Sequence, residues 1–465
     1  MQVLVHNLYS KQMKRFYTGL LLIITFASCR PEFETPRYDS GDADFTRFVA
    51  VGSSQMAGYN DGALTLTGQE NSIAAILANR LALAGGGNFK QPYVNSGYGF
   101  GVVVTEAQGV SQFDFTGKLE LQNTTNCLQQ SDVKTYVTPH NPADRNWIGN
   151  QGPFNNLAVP NIKSFQMYSQ QLGRSGSTGN PYYARFASDT GATTGLSSTI
   201  LEEAVRQNPT FFALWIGNND VFSYGFSGGS GSVSGLGPYD ITPVDTFSNA
   251  IDNIVNGLTG NRAKGVIGNL PDLTSLPFYT VIPWNGLNLT AQEAAALTLQ
   301  WSNFGFVFNE GPNGFIYVAG SGLKQMGPGE LVTLKVSLDS IRCYSMGEPS
   351  TPLRADCVLD SSEVSTVRSR ISTFNSKLQS VAQTKNLAFA DLNAFYKTLQ
   401  SGIVFNGNNY SIEYLTGSMF SIDGIYPTSR GYALIANVFI DAINTRYKSN
   451  LSPADANAYP GVKLP

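Results

Sequence analysis

Four short apolar runs, spaced through the chain and separated by helix-like segments, limit what it can fold into more than any other feature. RFVAVG at 47–52, FFALWIG at 211–217, AKGVIGNL at 263–270 and LAFADL at 387–392 have the length of buried strands and lack the alternation of a half-exposed one. The segments between them carry helical spacing. NSIAAILANRLALAGGG at 71–87 ends on three glycines, and SSTILEEAVRQNP at 197–209 and TFSNAIDNIVNGL at 246–258 follow the same period. Asp360 and Glu363 have capping-box spacing ahead of Val364, Val367, Ile371, Phe374, Leu378 and Val381, which fall on one helical face. SIDGIYPTSRGYALIANVFIDAI at 421–443 reads as a turn opening onto a last helix. This alternation predicts an α/β fold, a mostly parallel sheet covered by helices on both faces.

The first 28 residues predict a leader. Lys11, Lys14 and Arg15 precede an apolar run from Phe16 to Phe26, too short to span a bilayer at about 1.5 Å per residue, and FASC then puts small residues before Cys29. Cleavage there leaves Cys29 as the first residue. A polar tether follows over 29–44, then a single domain over 45–450 with insertions at about 88–150 and 300–358, then a tail over 451–465. A small second domain built from the two insertions is the alternative. Export would place the chain in an oxidising space, where cysteines pair. Cys343 and Cys357 bracket a polar loop of ordinary closure length and form the expected bridge, leaving Cys127 free. Zinc is not expected, because there is no Cys-x-x-Cys spacing and His140 is the one histidine beyond the leader. No cofactor is expected either. The net charge of −3 does not invite nucleic acid, which would need a basic face.

Chemistry in an open parallel sheet gathers beyond the carboxyl ends of the strands. Three stretches fall there: VGSSQMAGYNDG at 51–62, which hands Ser54 to a loop; IGNND at 216–220, which offers the Asn219 side chain; and DGIYP at 423–427. Met56 breaks the Gly-x-Ser-x-Gly elbow. Taken in this order the stretches resemble the SGNH, or GDSL-type, hydrolases, lipoprotein members from Gram-negative bacteria above all. Gly52 and Ser54 match the first block, Gly217, Asn218, Asn219 and Asp220 the third, and Asp423 and Pro427 the last, while NLAVPN puts Asn161 where the family has an oxyanion glycine. The likeness runs from about residue 45 to 445.

The resemblance implies a three-layer α/β/α, flavodoxin-like fold with large loop insertions, and acyl transfer to Ser54. Its oxyanion donors would be the N–H of Ser54, the N–H at Asn161 and the side chain of Asn219. Tyr426 stands where the family's histidine base belongs, and a neutral phenol with a reference pKa of about 10 does not take a serine proton near neutral pH. The expected protein is therefore a degenerate SGNH lipoprotein that turns esters over weakly or not at all and binds an acyl or glycan ligand or an envelope partner. It would sit in the cell envelope as an outer-membrane lipoprotein, periplasmic or surface-facing, held through a lipid on Cys29. One alternative is a working esterase on lipid or glycan, with His140 or a water held by Asp423 as the base. A second is an accessory lipoprotein of an outer-membrane barrel.

Overall fold

The computed structural model describes residues 37–107, 110–174 and 179–465, so the leader and Cys29 lie outside the described residues. The four apolar runs form the central sheet: β1 (Phe48–Gly52), β2 (Phe211–Trp215), β3 (Lys264–Gly268) and β4 (Ala388–Ala390), in that order and all parallel. Residues 155–159 run along the free edge of β1, where the Ala50 N–H donates to Asn155 and the N–H groups of Leu157 and Val159 donate to Ala50 and Gly52. That edge carries the chain to Asn161.

Helices cover both faces, which is why the strands are apolar on both sides. We number five of them: α1 (Ile73–Ala82), α2 (Asn219–Phe226), α3 (Val244–Thr259), α4 (Ser361–Thr384) and α5 (Ser429–Tyr447). On one face α5 lies over β3 and β4 and packs against α1, and on the other α4 lies over the same strands and packs against α3. Asp360 caps α4 by accepting the N–H groups of Ser362 and Glu363, while Glu363 reaches back to the N–H of Asp360, the capping box read from the sequence. The buried face of α4 is the predicted one, from Val364 to Val381. Its Phe374 stacks on Phe247 of α3 with ring centroids 3.8 Å apart, and each fully buried side chain of this kind contributes roughly 1.5–3 kcal/mol.

Residues Tyr38–Pro465 form one compact unit that holds every described element. Besides the main core it has a second, smaller one, built by Ile282, Leu287, Phe306, Phe315, Val332 and Cys357 among others. The ends of the domain pack more closely than their polar composition predicts. Ala43 is buried with the Asp42 N–H on the Tyr447 carbonyl, and Leu451, Ala454 and Ala456 lie buried along α5.

The expected Cys343–Cys357 bridge is not the one that forms. Cys343 pairs with Cys127, their Cα atoms 6.3 Å apart, and Cys357 is a buried free thiol. The cause is the fold of the two insertions. The hairpin of Leu119–Thr125 and Ser131–Val137 lies against the helix Leu338–Tyr344, where Arg342 meets Asp132 at 3.0 Å and Lys134 meets Asp339. Cys127 sits in that hairpin's turn. Cys357 instead leads into Val358–Leu359, which pairs with Leu331–Val332 and draws its side chain into the second core. No described helix is long and apolar enough to cross a membrane, and no described cluster of His, Cys, Asp and Glu could hold a metal ion.

Candidate active site

Ser54 opens a four-residue helix directly after β1. Gly52 makes that turn feasible, since a Cβ there would come within 2.3 Å of the Trp215 carbonyl oxygen on β2 and crowd Met56. The Ser54 side chain has no exposed surface. Its Oγ accepts the backbone N–H of Asn161 at 3.1 Å and the phenolic hydrogen of Tyr426 at 3.3 Å.

Asn161 has φ +64°, the left-handed conformation that favours glycine and that asparagine adopts more readily than other residues. Its N–H thus points at the serine, as an oxyanion donor must, although the residue is not glycine. Its side-chain oxygen stands 3.5 Å from the Tyr426 hydroxyl, so the single phenolic hydrogen has two acceptors to choose between. Asn219 begins α2 and is buried, but its amide nitrogen donates to the Ile162 carbonyl at 3.1 Å. It lies beside the Asn161–Ile162 segment and is engaged there. Asp220, the last residue of that block, accepts both the N–H and the hydroxyl of Ser164, which ties α2 to the same segment. Burial pushes its carboxyl up to about 6.

Asp423 is spent on the backbone. One oxygen accepts the N–H groups of Ile425 and Tyr426 at 2.8 Å each, and the other accepts the N–H of Gly62 at 2.9 Å. It builds the turn that presents the tyrosine ring and makes no bond to the phenol. Opposite it stands Asp61, a residue that the sequence did not single out. Asp61 accepts the Ile422 N–H at 3.1 Å and gives its own N–H to Ser421. The two loops are laced together by carboxylates, one from each side. Burial first, and the neighbouring Asp423 charge second, push the Asp61 carboxyl up to about 7. Asp423 is raised too, mainly by burial, against the lowering effect of its backbone N–H donors.

The Tyr426 ring is buried edge-on against Tyr59, and burial drives its phenol well above the ordinary tyrosine value. At Ser54 it is a donor and a plug. The groups bonded to Ser54 Oγ are Asn161 and Tyr426, and His140 is not among them. The imidazole packs on Phe115, and ring contacts then lead through Phe100, Tyr182 and Tyr59 before they reach Tyr426.

Next to the serine is a narrow cleft with about 10 Å³ of space for a water-sized molecule, lined by Gln55, Asn218, Asn219, Phe222, Leu276 and Tyr426 among others. Both amide atoms of Asn218 are buried there with no partner among the described residues. An unmet buried polar group costs about 1–3 kcal/mol, so this side chain is a burden on stability at the wall of the cleft. Nothing in the sequence distinguishes Asn218 from Asn219 except the block pattern, which singles out the latter.

No protein-family model matches the chain, and no curated protein matches it. Among solved structures it is similar to the lipase/acylhydrolase from Enterococcus faecalis, at 11% identity and a TM-score of 0.32, over 88% of this chain and 100% of that one. A putative GDSL-like lipase from Parabacteroides merdae ATCC 43184 is similar at 10% identity and a TM-score of 0.33, over 87% and 99%.

Proposed function

We propose that this chain is an SGNH-type protein whose serine site is held shut and lacks a base, so that it binds a ligand and turns esters over weakly or not at all. One observation carries the reading. The group at 3.3 Å from Ser54 Oγ is a buried phenol donating a hydrogen to it, where acyl transfer needs a base to remove one. The meeting of Ser54 with the Asn161 N–H, with Asn219 beside the Asn161–Ile162 segment and Asp423 in the turn that presents Tyr426, supports an acylhydrolase-like plan. What stands against turnover is the identity of the proton carrier and the closure of the serine.

The same proposal places the protein at a membrane through a lipid on Cys29, motivated by the basic start, short apolar run and FASC of the leader. Hydrolysis of p-nitrophenyl acetate tests the enzymatic half. The wild type should stay within about tenfold of its Ser54→Ala variant, because residual oxyanion stabilisation alone is weak catalysis. Robust turnover that Ser54→Ala abolishes would overturn the reading in favour of a working esterase.

A further inference from the structure

The second core carries a protruding loop with an unusual surface. Helix Ala291–Gln300 runs into a 3-10 turn at Ser302–Phe304, and Gly305, at φ +75°, turns the chain back. Thr298 ties the neck: its hydroxyl accepts the Phe308 N–H at 2.9 Å and donates to the Phe308 carbonyl at 3.3 Å. Phe306 and Phe308 point inward and are buried in the second core. Leu299, Phe304 and Val307 point outward and are 80%, 61% and 60% exposed. Trp301 lies against Phe304, centroids 5.3 Å apart. From Ala294 to Asn309 there is no charged residue, and Glu293 and Glu310 flank the stretch.

A neck closed by hydrogen bonds and an anchored inner face hold these apolar side chains out in water. Such exposure calls for an occupant. Three side chains of at most about 200 Å² each fall short of the roughly 800 Å² per partner that a stable protein interface buries, which argues against a second copy of the chain. An uncharged tip bordered by carboxylates does not complement an anionic surface. Aromatic and aliphatic side chains on an uncharged tip fit the interfacial zone of a bilayer. We propose that the 299–307 tip inserts into the headgroup and upper acyl region of a neutral phospholipid surface. This does not depend on the state of Ser54 or on a lipid at Cys29.

The test uses the Tyr38–Pro465 unit, which lacks the leader and Cys29 and keeps every described element, in flotation with phosphatidylcholine vesicles. The wild type should float with the vesicles, and its tryptophan emission should shift to the blue by an amount that Trp301→Phe removes, since Trp147, Trp215 and Trp284 also emit. Leu299→Ser combined with Phe304→Ser and Val307→Ser should lower the partition coefficient by at least about tenfold, since each buried side chain of this size is worth more than one factor of ten. Phe304→Leu should largely retain it. Val103→Ser, Leu236→Ser and Val404→Ser, at positions exposed elsewhere, should leave it unchanged, with thermal unfolding confirming that every variant is folded. The proposal is overturned if the wild type stays with the buffer, if the tip triple variant floats as well as the wild type, or if binding requires phosphatidylglycerol. Sedimentation showing a dimer that the tip substitutions dissolve would assign the surface to a second copy instead.

Discussion

Tyr426 occupies the place of a base and acts as a donor, and that contrast sets what single substitutions should do. Tyr426→His supplies a group with a pKa of about 6.5 beside Ser54 and shortens the plug. The gain should be tens-fold in kcat/KM on p-nitrophenyl acetate, short of the 10²–10⁴ that a well-placed general base gives, because Asp423 is committed to three backbone N–H groups and would orient an imidazole poorly. Adding Asn161→Gly should raise the rate again, since glycine accepts φ +64° freely and removes the side chain that faces position 426. No gain in either variant would mean the surrounding shell has drifted too far to work. Asp61 makes a separate prediction. Its folded value of about 7 lies above the unfolded carboxyl value of about 3.9, so the folded state holds the proton more tightly. Stability should therefore fall as pH rises from about 4 to 7 and level off above. Asp61→Asn keeps the oxygen that accepts the Ile422 N–H and suits φ +51°, so it should flatten this descent and add on the order of 2 kcal/mol at pH 8, read from urea midpoints at pH 5 and pH 8. An unchanged pH slope in the variant would count against the assignment. At this scale the sequence was legible in part: block spacing led to Ser54, Asn161, Asn219 and Tyr426, while Asp61 meets the 421–426 turn only through tertiary folding.

The sheet strands were the most legible elements, each within two residues of its predicted bounds, and the two extra residues at the ends of 211–217, 263–270 and 387–392 lie just past the ladder. Fully buried strands cannot be anything but apolar, so the signal is strong. The hairpins at 101–116 and 119–137 were read as polar insertion because the second of them has little buried surface, and a strand without a core face shows no hydrophobic alternation. Among helices, α4 was the clearest, with both its cap and its buried face apparent. The Phe247–Phe374 stack clamps α4 to α3 across the layer, so Phe374→Ala should cost about 3–5 kcal/mol, measured by chemical unfolding. A loss under about 1 kcal/mol would show that the two helices repack around the gap. Phe374→Leu, which keeps most of the volume, should recover much of the difference.

Across the whole molecule, the longest-range feature is the link between the two insertions, and no reading of local spacing could have found it. Cys127 and Cys343 are 216 residues apart, whereas the closer pair of Cys343 and Cys357 is separated by the entry of Cys357 into the second core. Pairing of cysteines depends on which surfaces meet, and here the meeting is a hairpin laid on a short helix. The ion pairs at that contact are partly exposed and contribute little, about 0–1 kcal/mol each, so the covalent bond holds the hairpin down. Closing so long a loop should stabilise the fold by restricting the unfolded chain, by roughly 5 kcal/mol at the upper bound and more commonly 2–4 kcal/mol. Cys127→Ser with Cys343→Ser should therefore lower the unfolding free energy by an amount in that range, read as a lower urea midpoint at unchanged slope. It should also speed amide exchange in 119–137 and 338–344 first, while the amides of β1 to β4 keep their protection, because none of the sheet's hydrogen bonds runs through the contact. Cys357→Ser should leave the bridge and those exchange rates alone. If the double variant matched the wild type in both midpoint and local exchange, the two insertions would be held by their packing and the bridge would be incidental; if Cys357→Ser were the variant that loosened the hairpin, the pairing itself would be wrong.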